Sequence, residues 1–246
     1  MSTGDPSVTA GVVVSRADEA SVAIGDALLD LADWTERTDA DRPDAEGGGT
    51  VHVRDGFELR TFDELHLHLD GVAAAFDDPD LVVFVSRHAG ETGPLLTAHF
   101  TGNVGPADHG GRPNELAAAC PSAHAAVVRA LAEHAPDGYG VGMECTHHGP
   151  SRVGAPSMFV EVGSSEEQWR DPDAAEAAAR AVLDLAGVAP RTERTVVGVG
   201  GGHYAPRYER IVRETDWAVG HVLADWALEA AGGLSPEVVD QAFERS

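Results

Sequence analysis

Histidine, glutamate and glycine recur in this chain where short apolar runs end, and that placement suits hydrolysis or metal binding. The segments are Ser86-Arg87-His88, Leu96 to Asn103 with His99, Thr101 and Gly102, Glu144 to Pro150 with His147, His148 and Gly149, Phe159 to Trp169 with Glu161, and Gly200 to Arg207 with His203 and Tyr204. A neutral imidazole can take a proton from water near neutral pH and is also the commonest zinc ligand. Glu144 and Glu161 sit at near-apolar strand ends, where a carboxylate is costly unless it is paired or metal-bound. Gly200, Gly201 and Gly202 offer consecutive backbone N–H groups to an anion. They form no dinucleotide fingerprint, because His203 stands where the third glycine would be.

Each reading has a plainer rival. His147 and His148 are adjacent, and in an extended segment their side chains point opposite ways, so one is expected to face the site and both on one metal is not. His52, His66, His68, His124 and His134 read as structural. Asn103 is either a site residue or the holder of a left-handed turn after Gly102. Cys145 lies inside an apolar strand and reads as packing, not as a nucleophile. Trp169 and Tyr204 read as packing, although Tyr204 beside the glycines could stack a base.

The elements that must position these residues alternate β-branched runs with Ala-rich amphipathic stretches, which indicates α/β layering. Strands are expected at Val12–Val14, Leu81–Val85, Leu95–Phe100, Gly140–Cys145, Phe159–Val162 and Thr195–Val199. Leu65–Leu69 alternates with period 2, its leucines on one face and its histidines on the other. Helices are expected over the segment bearing Val22 to Leu31, Pro121–Ala135, Pro172–Gly187, Val222–Ala231 and Pro236–Phe243, and Gly163-Ser164-Ser165 can cap a helix carrying Glu166 and Glu167. Residues 39–49 read as an acidic, exposed loop insertion within a single domain spanning 1–246. Histidine-bearing loops follow several strands, and in open α/β sheets such loops converge at the strands' carboxyl ends.

The chain has 246 residues, 41 acidic and 17 basic, for a net charge of -24, and every basic residue is Arg. Such self-repulsion is tolerated best where salt screens it: at ~1 M the Debye length is ~3 Å. The carboxylates are spread along the chain, so a salty cytoplasm explains them better than an acidic docking tail. No leader pattern occurs over Met1–Gly11, no run of about 18 apolar residues occurs, and two cysteines are too few for a disulfide framework. A cytoplasmic protein without membrane contact is expected, with no obligate protein partner evident and a monomer as the default.

At SRH, LTxHxTGN, ExTHHGP, FVEVGSSEEQW and GGGHYAPR the chain resembles the archaeal and plant type of D-aminoacyl-tRNA deacylase, from about Ser15 to the C-terminal helices. It departs from that family in the acidic 39–49 segment and in lacking Lys. The resemblance implies a phosphorylase/hydrolase-like three-layer α/β/α fold with a mixed sheet. It also implies hydrolysis of D-aminoacyl-tRNA with broad side-chain tolerance, and bound Zn2+. The candidate catalytic residues are then His99, Thr101, Asn103, Glu144, His147 and His148. Candidate substrate contacts are Arg87, Gly102, Gly149, Gly200, Gly201, Gly202, Tyr204 and Arg207, and the candidate zinc ligands are His147, Glu161 and His203. Arg87, Arg152 and Arg207 could each meet a phosphate or anchor a loop through an ion pair. A zinc-dependent peptidase or amidohydrolase on a related fold is the rival reading. A non-catalytic nucleic-acid module is disfavoured, because no basic face is visible.

The charge makes a first prediction. The melting temperature should rise steadily between roughly 0.2 M and 2 M KCl as repulsion is screened, and a flat or falling trend in differential scanning fluorimetry would contradict the reading of the acidity as salt adaptation.

Overall fold

The computed structural model describes residues 9–188 and 194–246; the first eight residues, part of the segment read as lacking a leader, lie outside the described residues. In chain order the elements are β1 (Ala10–Ser15), α1 (Glu19–Leu31), β2 (Thr35–Asp39), β3 (Gly49–Arg54), β4 (Phe57–Phe62), β5 (Leu81–Ala89), β6 (Leu95–His99), β7 (Gly102–Asn103), β8 (Glu115–Leu116), α2 (Pro121–His134), β9 (Gly140–Met143), β10 (Ser157–Ser164), α3 (Glu166–Trp169), α4 (Pro172–Leu183), β11 (Thr195–Val199), α5 (Pro206–Glu214), β12 (Ala218–Leu223), α6 (Asp225–Ala230) and α7 (Pro236–Glu244). Eight strands make one mixed sheet in the order β2-β3-β4-β1-β5-β10-β6-β9. Its centre is parallel from β4 through β1 and β5 to β10; β10 then runs antiparallel to β6, and β6 parallel to β9. This is the mixed α/β sheet with flanking helices expected from the sequence.

Strand alternation sorts the central residues onto two faces. Val12, Val14, Val83, Val85, Leu96, Ala98, Met158, Val160 and Val162 pack into one core with α1, α2 and α4. Helix α1 starts where Asp18 accepts a hydrogen bond from the Ser21 amide and buries Ala20, Ile24 and Leu28, spaced one turn apart. Helix α3 opens on a Ser165–Gln168 capping box, as the sequence anticipated for that serine.

The other face carries Val13, Val82, Phe84 and Phe159. Its cover is thin: a 3₁₀ turn at Val72–Ala75, with Phe76 and Val153 from the adjoining loops. Leu65–Leu69 is not a strand. Residues 66–68 form a 3₁₀ turn that buries His66 against Phe84 and Phe159, so burial of one ring overrode the period-2 pattern. Two further differences are local. The acidic segment is largely the β2–β3 hairpin connection, with Asp39 and Gly49 paired in the strands at its two ends and Gly47 and Gly48 buried. Residues 218–223 form β12, parallel to β11, before the short α6, because Val219, Val222 and Leu223 find a sheet partner there and not a helix groove.

Phe84 is fully buried and stacks on Phe159 with ring centroids 4.6 Å apart, directly beneath the polar groups of the next two strand positions. Phe84→Ala should therefore destabilise the fold by about 3–5 kcal/mol, measured by salt-matched chemical denaturation. A loss below about 1 kcal/mol would mean that this face is not a packed core.

Candidate active site

Continuing the same alternation along the thinly covered face puts polar residues where the phenylalanines end. Beyond Phe84 on β5 come Ser86 and His88; beyond Phe159 on β10 comes Glu161; opposite Phe159 on β6 lies His99. The segment after β9 adds Glu144, His147 and His148, and the β11–α5 loop adds His203. Glu144 and Glu161 are buried and share a belt of imidazoles. Glu144 lies 2.6 Å from His203 Nε2, 3.1 Å from His88 Nδ1 and 3.6 Å from His147 Nε2. Glu161 accepts from the Ser86 hydroxyl at 2.7 Å and lies 3.5 Å from both His88 Nδ1 and His99 Nε2. The belt opens into a cavity of about 360 Å³ lined by Arg87, His88, His109, His147, His148 and His203 among others. A larger cavity of about 770 Å³, beside Cys120 and Arg245, has no histidine in its wall.

Backbone ties hold the mobile-looking sequence Glu144–His148 in place. The Cys145 amide donates to the His203 carbonyl, the Thr146 amide to Val222, and the Thr146 hydroxyl receives the Val222 amide. Buried His221 spans from the Thr146 hydroxyl to the Ala117 carbonyl. His221, which the sequence reading does not single out as a site residue, thus positions the segment from Glu144 to His148. His148 has φ +43°, so the chain is not extended there, and His147 and His148 do not point opposite ways: both line the cavity, with ring centroids 4.4 Å apart. A left-handed histidine is uncommon, and nothing local in the sequence announces it.

Several expected residues sit elsewhere or do something else. Asn103 donates to the Gly110 and Arg112 carbonyls and so staples the 104–114 loop. Thr101 is buried, bridged to His147 through the backbone, with its hydroxyl unpartnered. Gly102 (φ +132°) and Gly149 serve contact between protein backbones, since a Cβ would lie 2.5 Å from Leu116 Cα and 2.2 Å from the Gly111 nitrogen. Gly200 and Gly201 do not present free amides: one donates to the Leu223 carbonyl and the other to Asp225. Arg207 is exposed on α5. Arg152 is paired with Glu115 at 2.7 Å, whereas Arg87 lines the cavity with its guanidinium 5.2 Å from the Trp169 ring centre. His88 and Ser86 were missed as site residues. Their parity with Phe84 was readable, but which face would stay thinly covered was not.

Electrostatics divides the histidines into two sets. Burial alone would lower His88 and His203, but Glu144 and Glu161 outweigh it for His88, which rises to about 9, and Cys145 and Glu144 for His203, which rises to about 10. His99 is raised as well, burial being outweighed by Glu161. Burial, reinforced by the charge of His99, outweighs Glu144 and Glu161 and holds His148 down to about 4, and burial with the neighbouring imidazoles outweighs Glu144 and holds His147 well below its ordinary value. Both carboxylates stay well below the usual range, because the surrounding imidazoles overcome burial.

Close groups of potential metal ligands are His99–His147–His148, Cys145–His147–His203 and His88–Glu144–Glu161, each with its donor atoms within 4.8 Å of one another. The expected set of His147, Glu161 and His203 is not among them. Glu161 is drawn instead to His88 and the Ser86 hydroxyl.

Fold and site together define an α/β protein with a buried carboxylate–imidazole centre. A family model described as D-aminoacyl-tRNA deacylase matches residues 75–246, and the chain belongs to that family. It is 61% identical over 96% of its length to a D-aminoacyl-tRNA deacylase of Haloarcula marismortui and 60% identical over 96% to one of Natronomonas pharaonis. The chain spans about half of these relatives, 55% and 54% of their lengths. A crystal structure of a conserved protein of unknown function superposes with a TM-score of 0.87 at 35% identity, covering 98% of this chain and 84% of that one.

The raised pKa values of His88 and His203 carry a sign. Their pairing with the carboxylates stabilises the metal-free fold fully below the ordinary value of 6.5 and is lost as pH rises through about 9 and about 10. His148, lowered to about 4, acts oppositely: stability is lost as pH falls from 6.5 towards 4. In metal-free protein the melting temperature should therefore drop on both sides of neutrality. The double variant His88→Gln/His203→Gln should flatten the alkaline limb only; an unchanged alkaline limb would place the protons elsewhere.

Proposed function

We propose that this chain hydrolyses the ester of D-aminoacyl-tRNA, releasing the D-amino acid and tRNA, in a salt-rich cytoplasm. The observation that supports this best is the cavity lined by His88, His147, His148 and His203, in a member of this family. Family membership disfavours the peptidase reading. An aminoacyl ester is activated, so a positioned water, a base and a group that stabilises the oxyanion suffice. His148 suits the base: its Nδ1 lies 2.7 Å from the Gly149 carbonyl, which can only accept, so Nδ1 carries the proton and Nε2 remains free to take one from water. The Tyr204 hydroxyl, 3.3 Å from His88 Nε2 at the rim, is placed to donate towards a carbonyl oxygen.

The residues also fit zinc, with a ligand set that differs from the one expected. Cys145 Sγ, His147 and His203 offer one sulfur and two nitrogens, a donor set zinc favours with a fourth position left open. Their outer partners fit too. His147 Nδ1 donates to the Cys145 carbonyl at 2.8 Å, leaving Nε2 to bind, and His203 Nε2 donates to Glu144 at 2.6 Å, leaving Nδ1, which lies 3.7 Å from the Cys145 sulfur. Carboxylates and carbonyls commonly orient ligand imidazoles in this way. Zinc held there would polarise the ester carbonyl or lower the pKa of a bound water to about 7.

Release of tyrosine from D-Tyr-tRNA and L-Tyr-tRNA at high salt tests the function. The D ester should be cleaved at least ~10²-fold faster, and His148→Ala should slow it by ~10²–10⁴-fold without unfolding. Equal rates on the two enantiomers would overturn the proposal. For the metal, Co(II) substitution should give a thiolate charge-transfer band that Cys145→Ser abolishes; a band that persists in that variant would remove Cys145 from the ligand set.

A further inference from the structure

Recognition of the tRNA end needs something beyond the acid–base belt. With a net charge of -24 the chain is poorly placed to grip a polyanion by its phosphates, and salt weakens such contacts further. A nucleobase, in contrast, is neutral, and its stacking on an aromatic ring does not depend on counterion release.

Two large rings stand exposed beside His203, which lines the cavity. Trp226, on α6, is 46% exposed and Tyr204 is 37% exposed, in a chain that buries most of its large apolar side chains. Both flank the ring of His203, Tyr204 at 5.0 Å and Trp226 at 6.1 Å between centroids. His203 in turn reaches Glu144 inside the belt. Tyr204 is held edge-on to His88 through its hydroxyl, so its polar tip belongs to the site and its face does not swing freely.

Trp226 is held from behind. The Gly201 amide donates to the Asp225 carboxylate and the Asp225 amide returns a bond to the Gly201 carbonyl, both at 3.0 Å, while the Gly200 amide is fixed on Leu223. These bonds explain why the glycine amides are not free. They serve to lock the start of α6, and with it the next side chain, against the loop that carries His203.

We propose that Trp226 is the stacking platform for the 3′-terminal nucleobase of the tRNA, with Tyr204 flanking the same His203 ring. The proposal rests on the deacylase reading. In an aminoacyl-tRNA the ester oxygen and the terminal base are attached to one ribose, only a few bonds apart. A carbonyl seated beside His148 and Tyr204 therefore leaves the base within reach of the exposed Trp226 ring that flanks His203. The amino-acid side chain points into the remaining space on the Arg87 side of the cavity, away from this platform.

The test compares 3′-O-(D-tyrosyl)adenosine with the same ester on 1-deoxyribose, which has no base, in zinc-loaded wild type and Trp226→Ala at high salt. In the wild type, removing the base should raise KM by roughly 10- to 100-fold with kcat little altered, the range expected of one stacked base. In Trp226→Ala the two esters should have the same KM, and Trp226→Phe should restore most of the difference. If the ester is hydrolysed and the base matters equally in wild type and Trp226→Ala, the platform is elsewhere and this inference is overturned while the deacylase reading stands. A substitution that raises KM for both esters alike would show that the ring meets the amino acid and would also overturn it. Hydrolysis of neither ester by the wild type would overturn the deacylase reading, and the platform with it.

Discussion

Two carboxylates buried among imidazoles organise this protein. Taking Glu144 and Glu161 out of water is strongly unfavourable unless each finds charge-assisted partners, and the chain meets that demand with His88, His99, His203 and the Ser86 hydroxyl. The two anions also repel one another, which makes a shared cation necessary, and His88 takes that part by lying within 3.5 Å of both. In the metal-free protein the carboxylates raise the pKa values of His88 and His203, while burial lowers those of His147 and His148. The division between raised and lowered rings therefore follows from the placement of two glutamates.

That placement depends on the sheet. Glu161, Ser86, His88 and His99 are strand residues on one face, continuing the row of Phe84 and Phe159, so their backbone positions are as rigid as the core beneath them. Long helices cover the opposite face. Here the cover is a few 3₁₀ turns and loops, which leaves room for a cavity over the polar end of the row. The centre is accordingly built on a face of the sheet as well as from loops at the strand ends. Loops complete it only where backbone bonds restrain them, as Thr146, Val222 and His221 restrain the segment from Glu144 to His148.

The surface follows a different logic. Acidic residues are distributed over the exterior, and several arginines are paired: Arg16 with Asp44 and Asp63, Arg60 with Glu58 and Asp39, Arg170 with Glu19. Exposed pairs of this kind contribute little stability individually, and they leave few arginines to form a phosphate-binding face. Arg87 is the exception at the site, held over Trp169 beside the cavity. Short-range, geometrically specific contacts are what such a surface can offer a nucleic acid.

Much of this was legible in the residues alone. Apolar runs and caps located β1, β5, β6, β10, α1, α2 and α4, and short motifs singled out His99, Glu144, His147, His148, Glu161 and His203, which the structure brings together. Strands β2 to β4 went unread because their exposed and mixed side chains carry little periodic signal. The Leu65–Leu69 pattern misled because one buried ring outweighed alternation. Residue types and strand parity are local properties, so the chain's residues alone reveal which chemistry is available and which side chains share a face. Which face stays open, which ring pairs with which carboxylate, that His148 adopts a left-handed backbone, and that Cys145 and not Glu161 joins His147 and His203 depend on distances between segments remote in the chain. Packing and the desolvation of charge set those distances, and only the tertiary structure decides them.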